Sequence, residues 1–125
     1  LDLDHFKDIN DRFGHDAGDL ALVQTARLLE RTCRSGDVLA RWGGEEFLLL
    51  LPETGLAEAR ALAERLRLEV QELALAARDH TIVLSASFGV IERSTQDQLE
   101  QLINQTDRLL YRAKHAGRNQ VFAEA

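Results

Sequence analysis

The apolar positions change period several times along the chain, and each change marks an element. Leu1 and Leu3 alternate with Asp2 and Asp4, which predicts a strand with leucines on one face and carboxylates on the other. Phe6, Ile9 and Phe13 then recur at three- and four-residue spacing, the pattern of a short helix ending at Gly14. The polar stretch His15-Asp16-Ala17-Gly18-Asp19 reads as a loop in which Asp16 or Asp19 caps the next helix. That helix is expected from Leu20 to about Arg34, with Gly36 as its terminator. Val38-Leu39-Ala40-Arg41 and Leu48-Leu49-Leu50-Leu51 flank Gly43-Gly44, which predicts a β-hairpin whose glycines take the positive φ of a tight primed turn.

Pro52-Glu53-Thr54-Gly55 breaks the chain, and Leu56, Ala59, Ala63, Leu66, Val70 and Leu73 mark a long amphipathic helix. Thr81 to Ile91 is rich in β-branched and apolar residues and reads as one strand. In it Ser85 and Ser87 lie on the face opposite Leu84, Ala86 and Phe88. Thr95-x-x-Gln98 is a capping box for a last helix that buries Leu99, Leu102, Ile103, Thr106, Leu109, Leu110 and Ala113 and stops near Gly117. Gln120 to Ala123 adds a short terminal strand. Hairpins and helices mixed in this order predict an α+β fold, an antiparallel-rich central sheet with helices packed on it, and not a doubly wound parallel sheet.

The 125 residues fit one domain, long enough to bury roughly two thirds of its unfolded surface. No apolar run approaches the roughly 20 residues of a membrane helix, and no signal peptide is recognisable. A single cysteine forms no internal disulfide. Cys33 is in register with Leu22, Ala26 and Leu29, so a buried core thiol in a reducing, cytoplasmic setting is expected. The net charge of −6 argues against a nucleic-acid or anionic-membrane surface, although local cations still allow phosphate binding. The absence of methionine and the opening within an apolar-acidic stretch suggest a segment of a longer polypeptide.

Three places combine chemistry with plausible convergence: Asp2 and Asp4 on the first strand, Glu45 and Glu46 at the hairpin, and Lys114 and Arg118 at the end of the last helix. Carboxylate oxygens from adjacent strands suit magnesium that keeps phosphate oxygens and waters as further ligands. Two such ions activate an attacking oxygen and neutralise charge at an α-phosphate. The first strand leads straight into a helix start with free backbone N–H groups, a phosphate site with Lys7 in its first turn. Lys7, Lys114 and Arg118 suit the outer phosphates. The alternative readings are chance charges on a solvated turn, and basic residues that merely complement a helix dipole.

Leu-Asp-Leu-Asp-His-Phe-Lys-x-Ile-Asn-Asp-x-Phe-Gly-His-x-x-Gly-Asp, Arg-Trp-Gly-Gly-Glu-Glu-Phe and Tyr-x-Ala-Lys-x-x-Gly-Arg-Asn, in that order, strongly resemble the GGDEF domain of diguanylate cyclases in its Gly-Gly-Glu-Glu-Phe form. The resemblance runs from residue 1 to about Asn119. It implies a fold similar to class III nucleotidyl cyclases and polymerase palm (ferredoxin-like) domains. It further implies condensation of two GTP molecules to cyclic di-GMP, with release of two pyrophosphates, across a two-fold homodimer. Asp2, the carbonyl of Leu3 and Glu45 would bind Mg2+ or Mn2+, and Glu46 would lie beside the reacting ribose as base or second metal contact. The backbone around His5 and Phe6, with Lys7, Lys114 and Arg118, would hold phosphates. Asn10 and Asp19 would read guanine, whose N1–H and amino group both donate to a carboxylate. His15 lies beside them, where packing or hydrogen bonding is the alternative.

Arg34-Ser35-Gly36-Asp37 matches the family's inhibitory product site by its distance from Gly43, and Arg65 matches a further arginine of that site. Otherwise Arg34 finishes a helix and Asp37 starts a turn. Members of the family usually carry an upstream helix and an Asp-x-Leu-Thr-x-Leu-x-Asn-Arg motif that closes the nucleotide site. Residues 1–125 are therefore expected to be one GGDEF-type domain lacking that segment, with a sensory domain further upstream in the parent chain. The competing expectation is a catalytically silent module that binds GTP or cyclic di-GMP and signals to a partner.

Overall fold

The structure, a computed structural model, describes residues 1–77, 79–94 and 97–124. The element order is β1 (Asp2–Leu3), α1 (Phe6–Phe13), α2 (His15–Thr32), β2 (Val38–Arg41), β3 (Phe47–Leu50), α3 (Leu56–Glu72), β4 (Ala74–Ala77), β5 (His80–Val83), β6 (Ala86–Ile91), α4 (Leu99–His115) and β7 (Val121–Glu124). β1 pairs antiparallel with β6, and β6 pairs parallel with β7. On its other edge β1 meets the β2–β3 hairpin through the Asp2–Glu46 bridge. Leu1 N donates to Phe47 O (2.8 Å), Phe47 N to Leu1 O (2.9 Å) and Leu3 N to Glu45 O (3.1 Å). The strands across the molecule thus run β2, β3, β1, β6, β7. This is the expected α+β arrangement, with one parallel pair at its end.

Helices α3 and α4 pack on β6 and β7, and α2 packs on α1, α3 and β4. The core they enclose includes Leu3, Leu29, Leu66, Val70 and Leu84, all nearly inaccessible to water. Burying each such side chain contributes on the order of 2 kcal/mol. The leucine-in, aspartate-elsewhere alternation of β1 is realised, because Leu3 joins this core.

Five local expectations are corrected. Residues 15–19 are the first turn of α2 and not a loop, since Ala17 and Gly18 are buried against α1 and keep the helix going. Gly14, at φ 91°, alone separates the two helices, and no side chain caps α2. The hairpin connection is also wider than a primed turn. Arg41 pairs with Phe47, so residues 42–46 form the loop, and Gly43 and Gly44 do not take positive φ. The segment 81–91 is two strands broken at Leu84-Ser85, and β5 turns back on β4, a strand that alanine-rich Ala74–Ala77 did not signal. Cys33 is half-buried and free, because α2 ends at Thr32 and Cys33 already has extended φ/ψ. On α4, Leu99 is 53% exposed, while Leu102, Leu109 and Ala113 carry the buried stripe. Thr95 of the expected capping box lies outside the described residues, and Gln98 caps α4 with no side-chain hydrogen bond.

The contact between β6 and α4 is closer than side chains permit. A Cβ on Gly89 would stand 2.5 Å from the Thr106 carbonyl oxygen and 2.8 Å from the Leu110 nitrogen, both backbone atoms. Neither can swing aside, so α4 would have to shift bodily. Gly89→Ala is accordingly expected to lower stability by about 3 kcal/mol, read as a lowered midpoint in urea unfolding.

Candidate active site

Asp2, Asp4, Glu45, Glu46 and Lys114 come together where β1 lies between β6 and the hairpin. Asp2 pairs across the ladder with Ser87 on one side and with Glu46 on the other. Its side chain is 12% exposed, and Lys114 Nζ stands 3.3 Å from its Oδ1 without hydrogen-bond alignment. Burial pushes the Asp2 carboxyl up to about pH 6; Lys114 opposes that shift, while Glu45 and Glu46 add to it. Glu45 and Glu46 are themselves half-buried. Among the described residues no three acidic, histidine or cysteine side chains are grouped so as to hold a metal ion. The carboxylates gather at the middle of the strand array, on β1 and the adjoining hairpin.

The hairpin loop that carries the two glutamates is tied down by Arg41. Its Nε donates to the Gly43 and Gly44 carbonyls (both 3.2 Å) and its Nη2 to Gly44 (2.6 Å). Trp42 N and Gly43 N both donate to Glu46 O, at 2.8 and 3.4 Å. A guanidinium that satisfies two carbonyls at once explains how a loop of this width holds its shape without left-handed glycines. Position 41 stood inside the signature, yet nothing in its spacing announced this role.

Asp4 is the most deeply set acid, with a side chain 0% exposed. It accepts from Ser85 Oγ (2.7 Å), Ser87 Oγ (2.7 Å), Asn119 N (2.9 Å) and Lys114 Nζ (3.2 Å). Burial alone would raise its pKa; the hydrogen bonds and Lys114 outweigh burial and hold it below the usual carboxylate range. Ser85, in the break before β6, and Ser87, on β6, thus have a shared partner. Lys114 bridges Asp2 and Asp4. It stands where a cation is needed among ionised oxygens.

The other expected residues surround this centre in two groups. His5 enters α1 with φ 56° and offers no side-chain cap, so the N–H groups of Phe6, Lys7 and Asp8 have no intrahelical partner. Lys7 is exposed in that first turn. One turn on, the Asn10 Oδ1 is buried with no hydrogen-bond donor. It lies against Gly18, where a Cβ would come within 1.8 Å of it. Gly18 therefore makes the space that Asn10 occupies, a role its place in the motif did not reveal. His15 and Asp19 are exposed and one turn apart on α2. Arg118 follows α4 in a turn with positive φ at Gly117, Arg118 and Asn119.

Arg34, Asp37 and Arg65 form a separate place. Arg34 N donates to Asp37 Oδ2 (2.8 Å) and Asp37 N to Arg34 O (3.0 Å), closing a tight turn after α2. The Arg34 guanidinium donates to Thr54 Oγ1 (2.5 Å) and lies 3.7 Å from Glu58 on α3. Arg65, two turns along α3 from Glu58, pairs with Glu69 at 3.7 Å. Both arginines are mostly exposed, and no contact joins them among the described residues.

A family model described as "Diguanylate cyclase, GGDEF domain" matches residues 1–120. The chain is 44% identical over 123 residues to the diguanylate cyclase DgcM of Escherichia coli K12, covering 98% of this chain and 29% of that protein. It superposes with TM-score 0.93 on the diguanylate cyclase SiaD of Pseudomonas aeruginosa, solved with its activator SiaC, at 42% identity over 98% of this chain and 47% of that one. The GGDEF domain of DgcB from Caulobacter crescentus, solved in complex with c-di-GMP, superposes with TM-score 0.89 at 29% identity over 98% of this chain and 73% of that one. The chain thus spans under a third of the length of DgcM.

The buried Asp2 charge has a consequence for stability. Its folded-state pKa of about 6 lies above the ordinary 3.8, so the fold favours the protonated form. The stability this adds below pH 4 is lost as pH rises through about 6. Asp2→Asn removes the ionisation and is expected to raise stability at pH 8 in metal-free buffer by up to about 3 kcal/mol. The gain shrinks as pH falls through 6 towards 4, which urea melts across that range will read.

Proposed function

Since the chain belongs to the GGDEF domain family of diguanylate cyclases, we propose that it is the catalytic module of a larger cyclase that condenses two GTP molecules into cyclic di-GMP, releasing two pyrophosphates. The observation that carries this reading is the convergence of Asp2, Glu45 and Glu46 beside Lys114. Asp2 faces Lys114 at 3.3 Å and meets Glu46 across the ladder, and Glu45 stands close enough to push its pKa up, more acids than the sheet needs for its own stability. A module that only binds nucleotide has no need of all three.

The donor set fits a divalent cation. Asp2 Oδ1 is a buried oxygen with no aligned hydrogen bond, faced by Lys114 at 3.3 Å, and the neighbouring glutamates supply further hard oxygens. Asp2, the Leu3 carbonyl and Glu45 would hold Mg2+ or Mn2+, which neutralises charge at the α-phosphate. Glu46 lies beside the ribose, as base for the 3′-hydroxyl or as a second metal contact. The bare N–H groups at the start of α1, with Lys7, take phosphate oxygens, and Lys114 and Arg118 take the outer phosphates. Asn10 and Asp19 read guanine, with His15 beside them; the close approach of Asn10 to Gly18, next to Asp19 on α2, supports this role.

One domain holds one GTP, so the attacking hydroxyl comes from a second copy in a two-fold dimer. A sensory domain elsewhere in the longer parent chain sets that dimerisation. Arg34, Asp37 and Arg65 form an inhibitory site for the product; the similar DgcB domain was solved in complex with c-di-GMP, so the fold is able to hold that ligand. The second reading, a silent nucleotide-responsive module, has only the exposure of Arg34 and Arg65 in its favour.

GTP turnover with magnesium by the full-length or artificially dimerised protein separates the two readings. Cyclic di-GMP is expected from the unmutated protein, with a loss of roughly 10²-fold or more in Glu46→Ala; no product from the unmutated protein overturns the enzyme reading. Calorimetry with cyclic di-GMP tests the second site. Arg34→Ala is expected to weaken binding at least about tenfold, near 1.4 kcal/mol, and unchanged affinity removes the contact.

A further inference from the structure

The turn between α4 and β7 is unusual in keeping positive φ over three consecutive residues, 122° at Gly117, 65° at Arg118 and 48° at Asn119. The first part is an ordinary helix end: Arg118 N donates to the Ala113 carbonyl at 3.0 Å, the bond that closes a glycine-terminated helix. A chain normally leaves the left-handed region after that glycine. Here two further side-chain-bearing residues stay in it, a conformation that persists only where the surroundings enforce it.

Two groups from distant parts of the chain enforce it at Asn119. The Asp4 carboxylate accepts from the Asn119 backbone N–H at 2.9 Å. On the other side Arg67, on α3, donates from Nη1 to Asn119 Oδ1 at 3.1 Å and to its backbone carbonyl at 3.4 Å. Arg67 is itself oriented by Glu64, which takes its Nε at 2.9 Å and also its Nη2. The mutual hydrogen bonds lower the Glu64 pKa and raise that of Arg67. With only 18% of its side chain exposed, the guanidinium is held as a fork, one edge on Glu64 and one nitrogen on Asn119. A pair on the surface of a helix would satisfy Glu64 and Arg67 by itself. The third contact is spent on a polar turn and on no core residue.

We propose that Arg67 is a positioning residue for the phosphate-binding turn: together with Asp4 it clamps Asn119 and so keeps Arg118 in the left-handed conformation from which it meets the substrate. The inference rests on the reading that Arg118 holds GTP phosphates. It assigns α3, a helix outside the sequence motifs of the nucleotide site, a part in substrate binding.

A double-mutant cycle on the full-length parent protein tests it, with kcat/KM for GTP as the readout. Arg118→Ala and Arg67→Ala are each expected to lower kcat/KM about tenfold, and Arg67→Ala to change it less than about twofold in the Arg118→Ala background. A purely structural arginine would act equally in both backgrounds. Should Arg67→Ala fail to fold, Arg67→Lys carries the same cycle, since one ammonium keeps the charge but does not span Glu64 and Asn119. If Arg118→Ala alone has no effect, the phosphate reading of Arg118 falls, and this inference with it. If Arg118→Ala is impaired but the position 67 variant is silent or fully additive, the clamp alone is overturned.

Discussion

The Asp4 carboxylate lies wholly inside the protein and accepts from Ser85, Ser87 and the Asn119 amide while facing Lys114. Its donors come from the segment around the start of β6, the end of α4 and the turn before β7. A buried charge left without partners costs several kcal/mol, so these elements are not free to drift from one another. The constraint works outward. Because Lys114 is held by Asp4, it also reaches Asp2, and because Asn119 is held by Asp4, the left-handed turn after α4 lies against the first strand. Lys114 directly, and Arg118 through its neighbour Asn119, are placed by an acid that is not itself expected to touch metal or substrate.

Most of the element order was legible because amphipathic helices and apolar strands leave strong periodic traces. α3 and α4 have buried stripes at helical spacing, and β1 shows its faces in two leucines and two aspartates. Failures occurred where one residue type serves two structures. Ala17-Gly18 looked like loop beside His15 and Asp16, but small residues are also what lets α1 approach α2. Gly43-Gly44 looked like a primed turn, yet Arg41 supplies the hydrogen bonds that make another loop shape stable. The alanines of β4 carry neither β-branching nor alternation, so the β4–β5 hairpin left no sequence signal.

The site residues were legible as a set, through three ordered motifs and the chemistry of their side chains. What joined them was not. Ser85 and Ser87 appeared only as a polar face, and their common acceptor lies more than eighty residues away. Arg67 sits off the apolar stripe of α3 and resembles any solvated arginine until Asn119 is seen beside it. Long-range polar contacts of this kind have no period, and a single chain does not reveal them.

The seam between β1 and β6 separates the carboxylates of the candidate site from two of its cations. Asp2, Glu45 and Glu46 belong to β1 and the hairpin, whereas Lys114 and Arg118 ride on the unit formed by β6, α4 and β7, whose internal spacing is fixed by the missing side chain of Gly89. Two ladder positions, Asp2 with Ser87 and Leu3 with Ala86, join these halves, alongside the bonds to Asp4 and the Lys114–Asp2 ion pair. The carboxylates on one side and Lys114 with Arg118 on the other thus sit on two separately built plates. A sub-ångström slip along their join would alter the gap between opposite charges while leaving each plate internally unchanged.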